Sequence, residues 1–201
     1  MSQIDYYFTC ISPFSYLGHK TLKEIADRHE ATIVLKPMRL RAVWEKSGAL
    51  PPDQRTEPRK AYRLVELKRW SAHRQLPLNT HPAHFPVDPS LADMTVISTE
   101  QQGMDAYRLA GLFLAACWAG EKNLADENDL KSILSEGGFD TGLLDAAMKN
   151  EVETIYERNT QDAIGAQIIG APAYVFHGEQ FWGQDRLELL EDALRGQARH
   201  G

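Results

Sequence analysis

Apolar positions along the chain follow two periods, and the short β-like runs lie near its two ends. Ile4 to Phe8 reads as a strand, and Pro13, suited to a first helical turn where its missing N–H costs nothing, opens a helix. Leu17, Leu22, Ile25 and Ala26 keep close to helical spacing up to Arg28, and the β-branched stretch Ala31 to Leu35 reads as a second strand. Strand, helix and strand occupy about 30 residues, the size of a βαβ unit. Far downstream, the turn Gly170-Ala171-Pro172 runs into a β-branched and aromatic strand ending at Phe176. His177-Gly178 is a hairpin turn, and Gln180-Phe181-Trp182 is the returning strand. Proline just before a strand is a natural place for a cis bond.

Between these ends the spacing is helical. A short helix is expected after Pro37 and ends near Trp44, and the proline-bearing stretch Gly48 to Pro58 reads as an exposed loop. Arg59 to Arg74 is a helix with a broad apolar face of Tyr62, Leu64, Val65, Leu67, Trp70 and Ala72. Its cations Arg63, Lys68, Arg69 and Arg74 read as a solvated face with stems packed over apolar surface. Arg59 and Lys60 stand where loop meets helix and could reach a carboxylate. Asn79 to Pro89 is turn-rich, and its prolines oppose the helix on which His81 and His84 could share a metal. Ala92 to Ala119 is helical with a break near Gly103, and the stripe Ala106, Leu109, Ala110, Phe113, Leu114, Cys117 and Trp118 is core. Asp126 to Ser135 and Asp140 to Asn150 are two shorter helices capped by aspartates. Val152 to Ile168 and Asp185 to Leu194 complete the set.

Ser12 falls at the N-cap of the first helix. Its hydroxyl there would lie beside unpaired N–H groups and the positive end of the helix dipole, where an anion such as a thiolate is held. Serine is also a preferred cap on its own merits, so both readings stand for Ser12 and Ser15. With 201 residues, 43% of them apolar, the chain can bury a substantial core. A net charge of −6 argues against a general nucleic-acid binder. No run of ~18 apolar residues occurs and the polar start Met1-Ser2-Gln3 does not resemble a signal peptide, so no membrane role and a cytoplasmic location are expected. Cys10 and Cys117 are the only cysteines and read as buried thiols, with Cys10 close in sequence to Ser12.

An early strand-Ser-Pro-helix and a late Gly-x-Pro-strand-turn-strand-helix together resemble the thioredoxin fold, in which the start of the active helix faces a cis-proline loop. Ser12-Pro13-Phe14-Ser15 then takes the place of the Cys-Pro-x-Cys of DsbA-type oxidoreductases, with both cysteines serine. The expected fold class is α/β, a thioredoxin-like fold with a large all-helical insertion. Residues 1–37 and 169–201 would form the thioredoxin-like part, 150–168 a connecting helix and 38–149 the inserted helices. Phe8 to Leu17, Tyr62 to Leu78 and Gly170 to Leu187 resemble the 2-hydroxychromene-2-carboxylate isomerase family, which is similar to kappa-class glutathione transferases and to DsbA.

The resemblance implies glutathione as cofactor, with Ser12 as the catalytic hydroxyl that holds its sulfur as thiolate. It implies that the backbone of Ala171, before a cis Pro172, pairs with the cysteinyl part. Gln184 and Asp185 would hold the γ-glutamyl end, with Asp185 capping the last helix, and Arg59 or Lys60 would meet the glycyl carboxylate. Trp182 and Phe14 are assigned to packing. No metal is expected, and the implied protein is a homodimeric isomerase of a small aromatic substrate. A kappa-like transferase and a non-catalytic binding protein are the alternatives.

Overall fold

The computed structural model describes residues 2–198, so the outermost ends of the expected thioredoxin-like part, residue 1 and residues 199–201, lie outside the described residues. In chain order the elements are β1 (Gln3–Phe8), α1 (Pro13–Arg28), β2 (Thr32–Pro37), α2 (Leu40–Ser47), α3 (Glu57–Arg74), α4 (Ser90–Gln101) and α5 (Ala106–Trp118). There follow α6 (Glu127–Glu136), α7 (Leu143–Ala147), α8 (Asn150–Gly165), β3 (Ala173–Phe176), β4 (Glu179–Trp182) and α9 (Leu187–Ala198).

Four strands make one mixed sheet in the order β2-β1-β3-β4. β1 runs parallel to β2 and antiparallel to β3, so that Tyr6 stands between Leu35 and Tyr174, and β3 and β4 form the hairpin. Alternation along β1 sends Ile4, Tyr6 and Phe8 to one face and Tyr7 to the other. Both faces are covered. Ile4, Tyr6 and Phe8 share a core with residues of α1, α5 and α9, and Tyr7 packs with Val43 of α2 and Ala163 of α8. The larger core continues from the sheet into the stripe of α5, so the inserted helices and the strands share apolar packing.

Local signals place α1 against the site. A Cβ on Gly18 would stand 2.7 Å from both the Cβ of Gln184 and the Oη of Tyr174, so the absence of a side chain lets α1 lie directly on the segment after β4. Gly18→Ala is expected to cost about 1–3 kcal/mol by overpacking, read as a lowered melting temperature.

Several elements differ from their sequence patterns. Of the apolar face expected on α3, Leu67 is buried, whereas Tyr62 and Val65 are 59% and 42% exposed. Helical spacing marks the helix there and not its cover. The stretch from Asp140 to Asn150 is helical only over Leu143–Ala147, and Asp140 accepts from the Gly142 N–H ahead of it. Asp185 is not the cap of the last helix. It lies within a 3-10 turn, Gln184–Arg186, that leads into α9 and has Gly183 at its N-cap.

Candidate active site

Ser12 is extended (φ −80°, ψ 119°) and 5% exposed, and its Oγ accepts from the Ser15 N–H at 3.1 Å while Pro13 supplies the first helical position. The Ser12 N–H donates to the Thr9 carbonyl at 3.0 Å, fixing the turn between β1 and α1. Pro13 removes one donor from the helix start, and the Phe14 N–H finds no acceptor among the described residues. Both features leave a hydroxyl and a free N–H at the positive end of α1, which suits an anion.

Across from it the Ala171–Pro172 peptide is cis, and the Ser12 hydroxyl donates to the Ala171 carbonyl over a long 3.4 Å. A contact that long leaves the hydroxyl free to turn to a stronger acceptor. The Ala171 N–H has no acceptor among the described residues. Its N–H, and a C=O engaged only by that long contact, are therefore available as an edge of the kind an extended peptide pairs with.

Ser12, Ala171, Gln184 and Asp185 line one cavity of about 1040 Å³. Gln184 is buried, and Arg74 grips it through Nε to Oε1 and Nη2 to the backbone carbonyl, both 3.1 Å. Arg74 is thus a largely covered anchor, which also pairs with Glu188, and not the solvated cation that its helix pattern implies. Gly183, at φ 101°, turns the chain into this segment, and a Cβ there would clash with Asp185 Oδ1. Asp185 pairs with Arg186 at 2.6 Å.

Arg59 and Lys60 do not line the cavity, and Lys60 turns to Glu57 at 2.9 Å. The cations that do line it include Arg39, Arg55 and Arg63. Arg63, expected on a solvated face, is largely withdrawn from water, and burial followed by repulsion from Arg55 lowers its pKa to about 10. Trp182 and Phe14, assigned to packing, also line the cavity, and Trp182 is 47% exposed.

The residue the sequence reading missed is Asp93. Fully buried in α4, it accepts from Thr9 Oγ1 at 2.8 Å, from the Cys10 N–H at 2.7 Å and from the Tyr156 hydroxyl at 2.9 Å. Burial raises its pKa to about 6 against the pull of those three donors. The carboxylate ties the end of β1 to α8, directly behind the turn that carries Ser12. Its signal in the sequence was one acid among the apolar residues Ala92, Met94, Val96 and Ile97, a position where an acid needs partners. Cys10 is free and buried and does not line the cavity, and burial holds its thiol well above its ordinary pKa. Among the described residues no helix is long and apolar enough to cross a membrane.

A family model described as a DSBA-like thioredoxin domain matches residues 3–195. The chain is 30% identical to a 2-hydroxychromene-2-carboxylate isomerase of Pseudomonas putida, over 95% of this chain and 93% of that protein. It is 24% identical to glutathione S-transferase kappa 1 of Caenorhabditis elegans, over 97% of this chain and 92% of that one. A solved 2-hydroxychromene-2-carboxylate isomerase superposes with a TM-score of 0.85 at 25% identity, covering 98% of this chain and 97% of the other.

Proposed function

The chain belongs to the DSBA-like thioredoxin domain family, and from that membership we propose that it is a glutathione-dependent cis/trans isomerase of an aromatic pyruvate or a related conjugated substrate. The observation that carries the reading is the Ser12 hydroxyl at the start of α1, facing the open backbone of Ala171 across a cis peptide, with serine also at position 15. A site with no cysteine of its own and an anion-holding cap calls for sulfur from outside. The isomerase relatives and the kappa-class relative agree with that reading.

When bound, glutathione supplies a thiolate, whose reversible addition to a conjugated double bond allows rotation there. The protein's part is electrostatic and positional. Ser12 Oγ–H donates to the sulfur and the α1 N-terminus favours its negative charge, which together lower the thiol pKa. Ala171 pairs backbone to backbone with the cysteinyl residue. Gln184, held by Arg74, and Asp185 meet the γ-glutamyl end.

Glutathione added in catalytic amount is expected to speed double-bond isomerisation of an aromatic 2-oxo acid with no net loss of thiol. Chromatography of substrate, product and glutathione checks this. Stoichiometric consumption of glutathione with a generic electrophile is the outcome for a kappa-like transferase, and no binding at millimolar glutathione would reject both readings.

A further inference from the structure

Three guanidinium groups of the cavity, those of Arg41, Arg55 and Arg63, have no carboxylate partner among the described residues, and of these Arg41 is exposed to water while the other two are partly withdrawn from it. Arg39 has Glu153 and Glu157, and Arg186 has Asp185, but neither Arg55 nor Arg63 is in an ion pair. Arg55 donates through Nε to the Leu50 carbonyl at 2.8 Å and lies 5.6 Å from the centre of the Trp44 ring. Arg63 has its guanidinium carbon 5.4 Å from the Phe85 ring and 5.7 Å from the Trp118 ring. Of the acids that line the cavity, Glu66 is engaged with Arg69 and the Trp70 indole and Asp88 with Ser90, and neither Glu45 nor Asp53 is in an ion pair with Arg55 or Arg63. A cation withdrawn from water without a counterion is costly, and an entering anion offsets that cost.

We propose that Arg63, supported by Arg55, is the subsite for the carboxylate of a flat aromatic acid, the substrate that is isomerised. A guanidinium offers a planar fork that takes a carboxylate through two parallel bonds, and the Phe85 ring near it lines the same cavity. Position favours substrate over the tripeptide. The Trp118 indole N–H donates to the Ile11 carbonyl at 3.2 Å, so one indole joins the Arg63 guanidinium to the residue before Ser12. Arg63 and Phe85 line the same cavity as Ile11 and Ser12, with Trp118 fully buried behind them, and the Phe85 ring fits an aromatic body, whereas the open backbone groups that suit a peptide are those of Ala171. The proposal deepens the isomerase reading and rests on it for naming this acid the substrate.

The test titrates trans-cinnamate, its neutral counterpart trans-cinnamamide, and glutathione separately against wild type, Arg63→Met, Arg63→Lys and Arg55→Gln. Wild type is expected to prefer cinnamate to cinnamamide by at least about tenfold, the scale of a charge-assisted pair. Arg63→Met removes that preference, Arg63→Lys keeps part of it, and Arg55→Gln reduces it, with glutathione affinity within about twofold of wild type throughout. Should Arg63→Met not fold, the other two variants carry the comparison. The proposal is overturned if wild type shows no preference, if Arg63→Met retains it, or if the variant loses glutathione instead of cinnamate. Cinnamate binding that depends on Arg63, in a protein that ignores glutathione, supports the subsite while rejecting the isomerase reading.

Discussion

Ser12→Ala is expected to lower turnover of the glutathione-dependent reaction by about a hundredfold to a thousandfold, the usual cost of one donor aimed at a charged reacting atom. The hydroxyl is the side chain at the positive end of α1, and its long contact to Ala171 leaves it ready to serve another acceptor. Removing it raises the pKa of bound glutathione, so that thiolate absorbance near neutral pH falls while the tripeptide remains bound through Ala171 and Gln184. Cap loss alone, typically about 1 kcal/mol, lowers the melting temperature without a comparable fall in rate. Wild-type turnover and an unshifted thiol titration in the variant would remove the role given to this hydroxyl.

Asp93→Ala carries the second large effect, a loss of about 3–5 kcal/mol of folding stability. The Cys10 N–H then loses its acceptor in the interior, and the Thr9 and Tyr156 hydroxyls lose their shared one. Asp93→Asn keeps an acceptor oxygen and costs less, and its value lies in the pH dependence. Burial raises the folded pKa of Asp93 from 3.8 to about 6. The folded state therefore holds this proton more tightly than the unfolded chain does. The stabilising contribution is present in full below the unfolded pKa and is lost as pH rises through about 6. At about 1.4 kcal/mol per tenfold change in ionisation, wild type should gain roughly 2 kcal/mol over Asp93→Asn between neutral pH and pH 4. Denaturant unfolding of both proteins across that range checks it, and parallel stability curves would contradict it. Because the Ser12 N–H hangs on the Thr9 carbonyl, loss of the Asp93 acceptor also loosens the turn that presents the hydroxyl.

Local chemistry made much of the fold legible. Pro13 after a strand, the alternation of Ile4, Tyr6 and Phe8, and Gly-x-Pro before a β-branched run act within a few residues. They mark the strands, the helix start and the hairpin wherever the rest of the chain goes. Ser12, Ala171, Gln184 and Asp185 come to one cavity because those signals fix both ends of the sheet. The cations were harder to read. Arg59 and Arg63 are four residues apart on one helical face, but α3 begins at Glu57, so Arg59 stands in its first turn and the cavity lies one turn further in. Spacing gives the face of a helix and leaves open how far along it a neighbour sits. Asp93 and Arg74 acquire their roles from partners distant in sequence, which no local pattern contains.

Whether sulfur from glutathione is held at the start of α1 is decided by a crystal structure of the glutathione complex. The sulfur is expected within hydrogen-bond reach of Ser12 Oγ, with the cysteinyl backbone paired to Ala171 beside the cis Pro172 peptide. A tripeptide bound away from that cleft, or one whose sulfur points away from Ser12, would contradict it.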